Sequence, residues 1–125
     1  ARAIQFFTPG IPQVYYVGLL AGKNDVKNVI KTGEGREINR HNYSIEEIEN
    51  ATRSAVVERL LRLIRFRNDY PAFNGEFDID CPGISTIVMS WKKDEYRCRL
   101  DVDLKDYSAS ISYLDKVGNI VFYQV

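Results

Sequence analysis

Apolar positions change period along this chain, and each change predicts a new kind of element. Residues 1–7 (ARAIQFF) read as the last turns of an amphipathic helix. Thr8-Pro9-Gly10 ends it, because neither Pro nor Gly sustains the hydrogen-bond ladder. After Pro12 the run Gln13 to Leu20 (QVYYVGLL) is apolar on both faces and rich in β-branched and aromatic types. That pattern predicts a strand buried on both sides, as in a parallel sheet. A long polar stretch follows, Ala21 to Tyr43, with one short helix expected over Val26 to Lys31 and turns at Gly33 and Gly35. Connections of this length in compact domains often carry binding residues.

Helical period then returns. Ser44-Ile45-Glu46-Glu47 has the form of a capping box, in which Ser44 and Glu47 satisfy each other's backbone N–H groups. A break is expected near Asn50-Ala51-Thr52. Beyond it Val56, Leu60, Leu63 and Ile64 form an i, i+4, i+7, i+8 stripe, with Arg53, Glu58, Arg62 and Arg65 mainly on other faces. Asn68-Asp69-Tyr70-Pro71 stops this helix, and Asn74-Gly75 makes a turn. From there the period is two. Tyr96, Cys98, Leu100, Val102 and Leu104 alternate with Arg97, Arg99, Asp101 and Asp103, the signature of a half-buried antiparallel strand. Ile84 to Trp91, Tyr107 to Leu114 and Asn119 to Val125 read as further strands, and Phe77 to Asp80 as another, joined by short polar links into a meander. The expected class is α+β for the chain by itself: the last αβα portion of a (β/α)8 barrel (1–75), then a small antiparallel β-domain (76–125). One parallel strand cannot satisfy its own edges, so the first part implies further strands outside it.

Composition narrows the function classes. Lys and Arg number 17 against 17 Asp and Glu, which argues against electrostatic capture of nucleic acid or an acidic membrane surface. No apolar run approaches the ~20 residues that span a bilayer. Cys81 and Cys98 have no metal-binding spacing, and a reduced, cytoplasmic thiol pair is the expectation. No secretory pattern opens the chain. There is no initiator Met, and Ala1 to Phe7 reads as a helix interior, so the chain is expected to be part of a longer protein. Aromatics make up 12 % of residues. Most suit plain β-sheet, although tyrosine also suits sugar faces and interfaces.

Three stretches resemble one family. FFTPGIPQVYYVG, LAGKND and INRH together are similar to the closing part of sucrose phosphorylases, retaining glucosyl phosphorylases of the α-amylase superfamily. AVVERLLRLIRFRNDYPAFNG resembles the last barrel helix running into the C-terminal β-domain. The resemblance is strong to about residue 75 and weak beyond it. It implies a glycosyltransferase-type enzyme of the wider glycoside hydrolase group. Glucose would pass from sucrose or a related α-glucoside to phosphate through a β-glucosyl-enzyme, using an Asp nucleophile, a Glu acid/base and a third, stabilising Asp. In the family these lie upstream of such a segment, so no catalytic residue and no cofactor or metal is assigned here. The chain alone is expected to be inactive.

Within INRH, Arg40 matches the arginine that the family uses to hold glucose hydroxyls where the bond breaks. A guanidinium offers five donors in a fixed fork. Without the motif Arg40 reads as a surface arginine. His41 reads as a loop hydrogen-bonding residue rather than a general base. Asn24-Asp25 reads as a helix cap. Tyr15 and Tyr16 are expected in a barrel core, and Trp91 in the β-domain core rather than on a sugar-stacking face. Two other functions are compatible with the pattern. One is a hydrolase, a transglucosidase or a phosphorylase of another glucoside such as glucosylglycerate. The other is a non-catalytic binding or assembly β-domain. The apolar faces of the first segment are expected to drive self-association.

Overall fold

The computed structural model describes residues 1–123. The chain forms two compact units: Ala1–Pro12 together with the chain from Arg62 onward, and Gln13–Leu61.

The first unit is built on a five-stranded antiparallel meander, β1 (Glu76–Asp80), β2 (Thr86–Lys93), β3 (Tyr96–Asp103), β4 (Ser108–Leu114) and β5 (Ile120–Tyr123), in that spatial order. Register follows the alternation in sequence. Leu100 sits opposite Met89 on one side and Ile111 on the other, and all three are buried. Arg97 and Arg99 lie on the wet face. Ile84 precedes β2 and is fully exposed rather than part of it. The expected last strand begins one residue later, at Ile120, and its final two residues, 124 and 125, lie outside the described ones.

Against the inner face pack α1 (Arg2–Phe7), the C-terminal turns of α5 (Ala55–Asp69) and a 3₁₀ turn over Pro71–Asn74. They bring Phe6, Phe7, Leu63, Ala72 and Phe73 to Met89, Trp91, Cys98, Leu100, Val102 and Ile111 in one core. Burying a side chain such as Leu100 or Ile111 contributes about 1.5–3 kcal/mol. Trp91 is core, as expected, and its indole Nε1 donates to the Phe7 carbonyl at 2.7 Å. The Tyr70 hydroxyl, after the last turn of α5, lies 2.9 Å from the Arg97 carbonyl and 2.8 Å from that of Leu114. It thereby closes backbone groups of β3 and β4 with one side chain.

The second unit is helical: α2 (Tyr16–Leu19), α3 (Val26–Thr32), a 3₁₀ turn over Gly35–Asn39, α4 (Ile45–Thr52) and the first turns of α5. The strand expected over Gln13 to Leu20 is not there. Tyr15 is extended, but the chain then coils, with Leu19 N–H donating to the Tyr15 carbonyl at 2.9 Å and Leu20 N–H to Tyr16 at 3.0 Å. A buried parallel strand exists only where neighbours supply its ladder bonds, and no described strand pairs with this segment. Tyr15 and Tyr16 are 51 % and 38 % exposed, so neither is a core residue of the described chain. Two other expectations shift by small steps. The break between helices falls at Arg53-Ser54, after Thr52. In α5 Val57, not Val56, is buried; Val56 is 61 % exposed.

Candidate functional site

The polar stretch after α2 is held by local chemistry at nearly every step. Asp25 caps α3, its Oδ1 accepting from Asn28 N–H at 3.0 Å. Gly33 ends the helix in the left-handed region (φ 73°), where a Cβ is penalised, and its N–H donates to the Val29 carbonyl at 2.8 Å. The 3₁₀ turn then folds back, so that Asp25 N–H donates to the Ile38 carbonyl at 2.6 Å. Asn28 Nδ2 reaches Glu37 Oε2 at 3.3 Å. This brings α3 and the INRH motif together.

Arg40 stands at the C-terminal end of the 3₁₀ turn, its N–H donating to the Glu37 carbonyl at 3.3 Å. One terminal nitrogen of its guanidinium contacts Glu37 Oε1 at 3.3 Å, and the side chain is about half exposed. His41 follows. Its Nδ1 lies 3.2 Å from Asp25 Oδ2 and its Nε2 lies 3.0 Å from Glu47 Oε1. Its carbonyl accepts from the Tyr16 hydroxyl at 3.0 Å, and the Tyr43 ring meets it edge-on at 4.6 Å. The expected capping box is formed: Glu47 N–H donates to Ser44 Oγ at 3.2 Å and Ser44 N–H to Glu47 Oε2 at 2.7 Å.

Each carboxylate at His41 therefore works twice, once as a helix cap and once toward the imidazole. The hydrogen bond to Asp25, and then that to Glu47, raises the His41 pKa above the ordinary histidine value. The Asn28 N–H and then His41 lower that of Asp25, and the Ser44 N–H and then His41 lower that of Glu47. Of this group the sequence singles out Arg40, His41, Asp25 and the Ser44–Glu47 box one by one. Their convergence and the Tyr16 brace on the His41 carbonyl carry no local sequence signal, whereas the Glu37 tether of Arg40 is an i, i+3 pair.

Elsewhere the chemistry is sparse. A shallow groove lies on the sheet, lined by Ser90, Lys92, Arg97, Arg99, Ser112 and Ile120 among others, and it contains no carboxylate pair. Trp91 adds no sugar-stacking face there, because it is buried and its N–H is used by Phe7. Among the described residues no cluster of metal-binding side chains occurs, and no helix is long and apolar enough to cross a membrane.

No family model matches the chain. Individual proteins do. The sucrose 6(F)-phosphate phosphorylase of Thermoanaerobacterium thermosaccharolyticum is 62 % identical over 125 residues, 100 % of this chain and 26 % of that protein. The sucrose phosphorylase of Agrobacterium vitis is 52 % identical over 112 residues, covering 90 % of this chain and 23 % of its own length. The crystal structure of sucrose 6F-phosphate phosphorylase from Thermoanaerobacter thermosaccharolyticum superimposes with a TM-score of 0.96 at 61 % identity, over 99 % of this chain and 25 % of that one. The likeness runs through the β-strands as well, well past residue 75, where the sequence motifs fade. The chain spans about a quarter of the length of the curated relatives it matches. Identity of this order along the whole chain, on a shared fold of helices and a five-stranded antiparallel sheet, makes the chain a member of the sucrose phosphorylase family.

Proposed function

We propose that this chain is the C-terminal part of a retaining α-glucoside phosphorylase that transfers glucose from sucrose or a related glucoside to inorganic phosphate. The observation that carries the reading is identity over 100 % of the chain with a protein named as a phosphorylase of sucrose 6(F)-phosphate and over 90 % of it with one named as a phosphorylase of sucrose. A glucosylglycerol phosphorylase from Marinobacter adhaerens is also similar, 52 % identical over 115 residues, 92 % of this chain and 24 % of that protein. Transfer to phosphate is common to the names and the leaving group varies, so the leaving group is the open part of the specificity.

In this reading residues 1–75 close a (β/α)8 barrel, residues 76–125 form its C-terminal β-domain, and the catalytic Asp–Glu–Asp set comes from other parts of the protein. Active sites of such barrels lie on the loops after the strands. Arg40, in the polar stretch that follows Gln13 to Leu20, is the sugar contact. Glu37 engages one terminal nitrogen of its guanidinium; hydroxyl oxygens are natural acceptors for the other N–H groups of the fork. Its permanent charge also suits it to orient a neighbouring carboxylate. Two free thiols, exposed Cys81 and buried Cys98, fit a reducing compartment, and we place the enzyme in the cytoplasm.

Two assays test this. The isolated chain, incubated with sucrose and phosphate, should yield no glucose 1-phosphate; any product above background overturns the claim that the catalytic carboxylates lie elsewhere. A full-length protein carrying this segment should release glucose 1-phosphate from sucrose, sucrose 6F-phosphate or glucosylglycerol only when phosphate is present. Sugar release that ignores phosphate would mark a hydrolase. In that protein Arg40→Ala should cut kcat/KM about a hundredfold or more, because the fork positions substrate at the reacting bond.

A further inference from the structure

We propose that His41 is a positioning residue for Arg40: its imidazolium ties the Asp25 cap of α3 to the Glu47 capping box of α4, and the tie fixes the backbone that carries Arg40. This rests on the reading of Arg40 as a sugar contact.

The geometry suits the doubly protonated ring. Both ring nitrogens face a carboxylate oxygen within 3.2 Å. A neutral imidazole has one N–H and one lone pair, so it would turn a lone pair toward one of the two anions. Only the imidazolium donates at both positions. For the same reason His41 has no free lone pair with which to accept a proton from substrate, and a general-base role is closed to it. Each carboxylate has its second oxygen in a cap, Asp25 toward Asn28 N–H and Glu47 toward Ser44 N–H, so the ring joins two already ordered helix starts.

Arg40 needs such help. Its own tether is an exposed pair with Glu37 at 3.3 Å, the kind of contact that solvent screens. Upstream, the backbone is pinned where Asp25 N–H meets the Ile38 carbonyl. Downstream it is pinned by the Tyr16 hydroxyl on the His41 carbonyl and by the His41 ring. Without the ring the His41 position keeps the tyrosine bond, backed by the edge contact of Tyr43 with Tyr16, but loses its link to both capping carboxylates.

The groups that face His41 are Asp25 from α3, Glu47 from α4, the Tyr16 hydroxyl from α2 and the Tyr43 ring, with Arg40 as its chain neighbour. The two carboxylates raise the His41 pKa and the imidazolium helps lower theirs. The tie is therefore complete below the unfolded-state histidine value of about 6.5 and is lost as pH rises through the raised folded value. On the acid side it is present above the unfolded carboxylate range near 4 and is lost as pH falls through the lowered folded values.

His41 is the only histidine, so its ring resonances titrate without overlap. In the chain itself, NMR titration should place its pKa above the ordinary value, and Asp25→Asn and Glu47→Gln should each bring it down. A ring that titrates at or below the ordinary value overturns the tie, with no variant needed. In a full-length phosphorylase carrying this segment, His41→Gln and Glu47→Gln should each lower kcat/KM by about tenfold. His41→Gln should remove the alkaline limb that follows the imidazolium, Glu47→Gln should move it to lower pH because Asp25 still faces the ring, and neither should add to the loss already caused by Arg40→Ala. Purely structural damage would add to that loss and leave the alkaline limb in place, and this result overturns the positioning role. If Arg40→Ala leaves kcat/KM unchanged, the sugar-contact reading fails and the positioning role falls with it; the ring titration separates that case from a missing tie.

Discussion

The bond between Trp91 and Phe7 gives the sharpest stability test of the sheet unit. Phe7 sits in the last turn of α1, where helix carbonyls run out of intrahelical donors. Its carbonyl accepts from Trp91 Nε1 at 2.7 Å, and the Phe7 side chain is wholly buried. Trp91→Phe keeps a ring against Phe77 and Phe73, whose centroids lie 5.0 and 5.9 Å from the indole, and near the Arg67 guanidinium at 5.3 Å. It removes the N–H. A buried carbonyl left without its donor costs about 1–3 kcal/mol, and the smaller ring leaves a space costing about 1 kcal/mol more. The expected loss is about 2–4 kcal/mol. Far-UV circular dichroism in a urea series measures it, because the variant lacks the chain's only tryptophan and with it the fluorescence probe. Amide exchange should locate the damage: Gln5 and Thr8, whose N–H groups close α1 onto Ala1 and Ile4, should exchange faster than in the parent while Leu100 does not. A loss below about 0.5 kcal/mol, within the range of an inconsequential substitution, with α1 exchange unchanged, would refute the view that this bond caps α1.

Three further outcomes follow from packing and exposure. Gly75→Ala should lower stability by about 1–3 kcal/mol, read as a thermal midpoint, because a Cβ there would meet the Lys92 carbonyl and come within 2.7 Å of Lys93 Cβ; an unchanged midpoint would show that β2 yields freely. Cys81 is exposed, whereas Cys98 is buried and burial pushes its thiol up to about 12. A chromogenic thiol reagent near pH 8 should therefore titrate one thiol in the native chain and two in denaturant, and equal native rates would contradict the burial of Cys98. In the helical unit Ile30, Ile45 and Val56 are 78 %, 77 % and 61 % exposed. The isolated chain should sediment as a dimer or larger species, and Ile30→Glu with Ile45→Glu should return it to monomer; a monomer at all concentrations would rule out association through this unit.

What could be read from the sequence divides by the range of the cause. The capping box at Ser44 and Glu47, the Asp25 cap and the left-handed stop at Gly33 depend on residues three or four apart, and all three are present. The alternation of β3 was legible because one of its faces is wet. Gln13 to Leu20 was not. An apolar run of that length fits a buried strand or a short helix equally well, and partners outside the run decide which. In α5 Val56 and Val57 are adjacent. At about 100° per residue Val56 falls within about 20° of Leu63 and Val57 about 120° from it, so spacing points to Val56, yet Val57 is the one that is buried.

The candidate site shows the same division more sharply. Arg40 was found through a motif, and the caps through spacing, but nothing local says that the two caps face one histidine. A carboxylate that caps a helix start, whether at the N-cap like Asp25 or at N3 like Glu47, can use one oxygen there and keep the other free. Whether that second oxygen finds a partner depends on how the next helix is placed. Here the 3₁₀ turn folds the chain back so that His41 lies between Asp25 and Glu47, and the spare oxygen of each cap is taken up. Local rules thus supply the parts of the tie, and tertiary structure decides that they meet. For this reason the residue next to Arg40, rather than Arg40 itself, is where the sequence was least informative and the structure adds most.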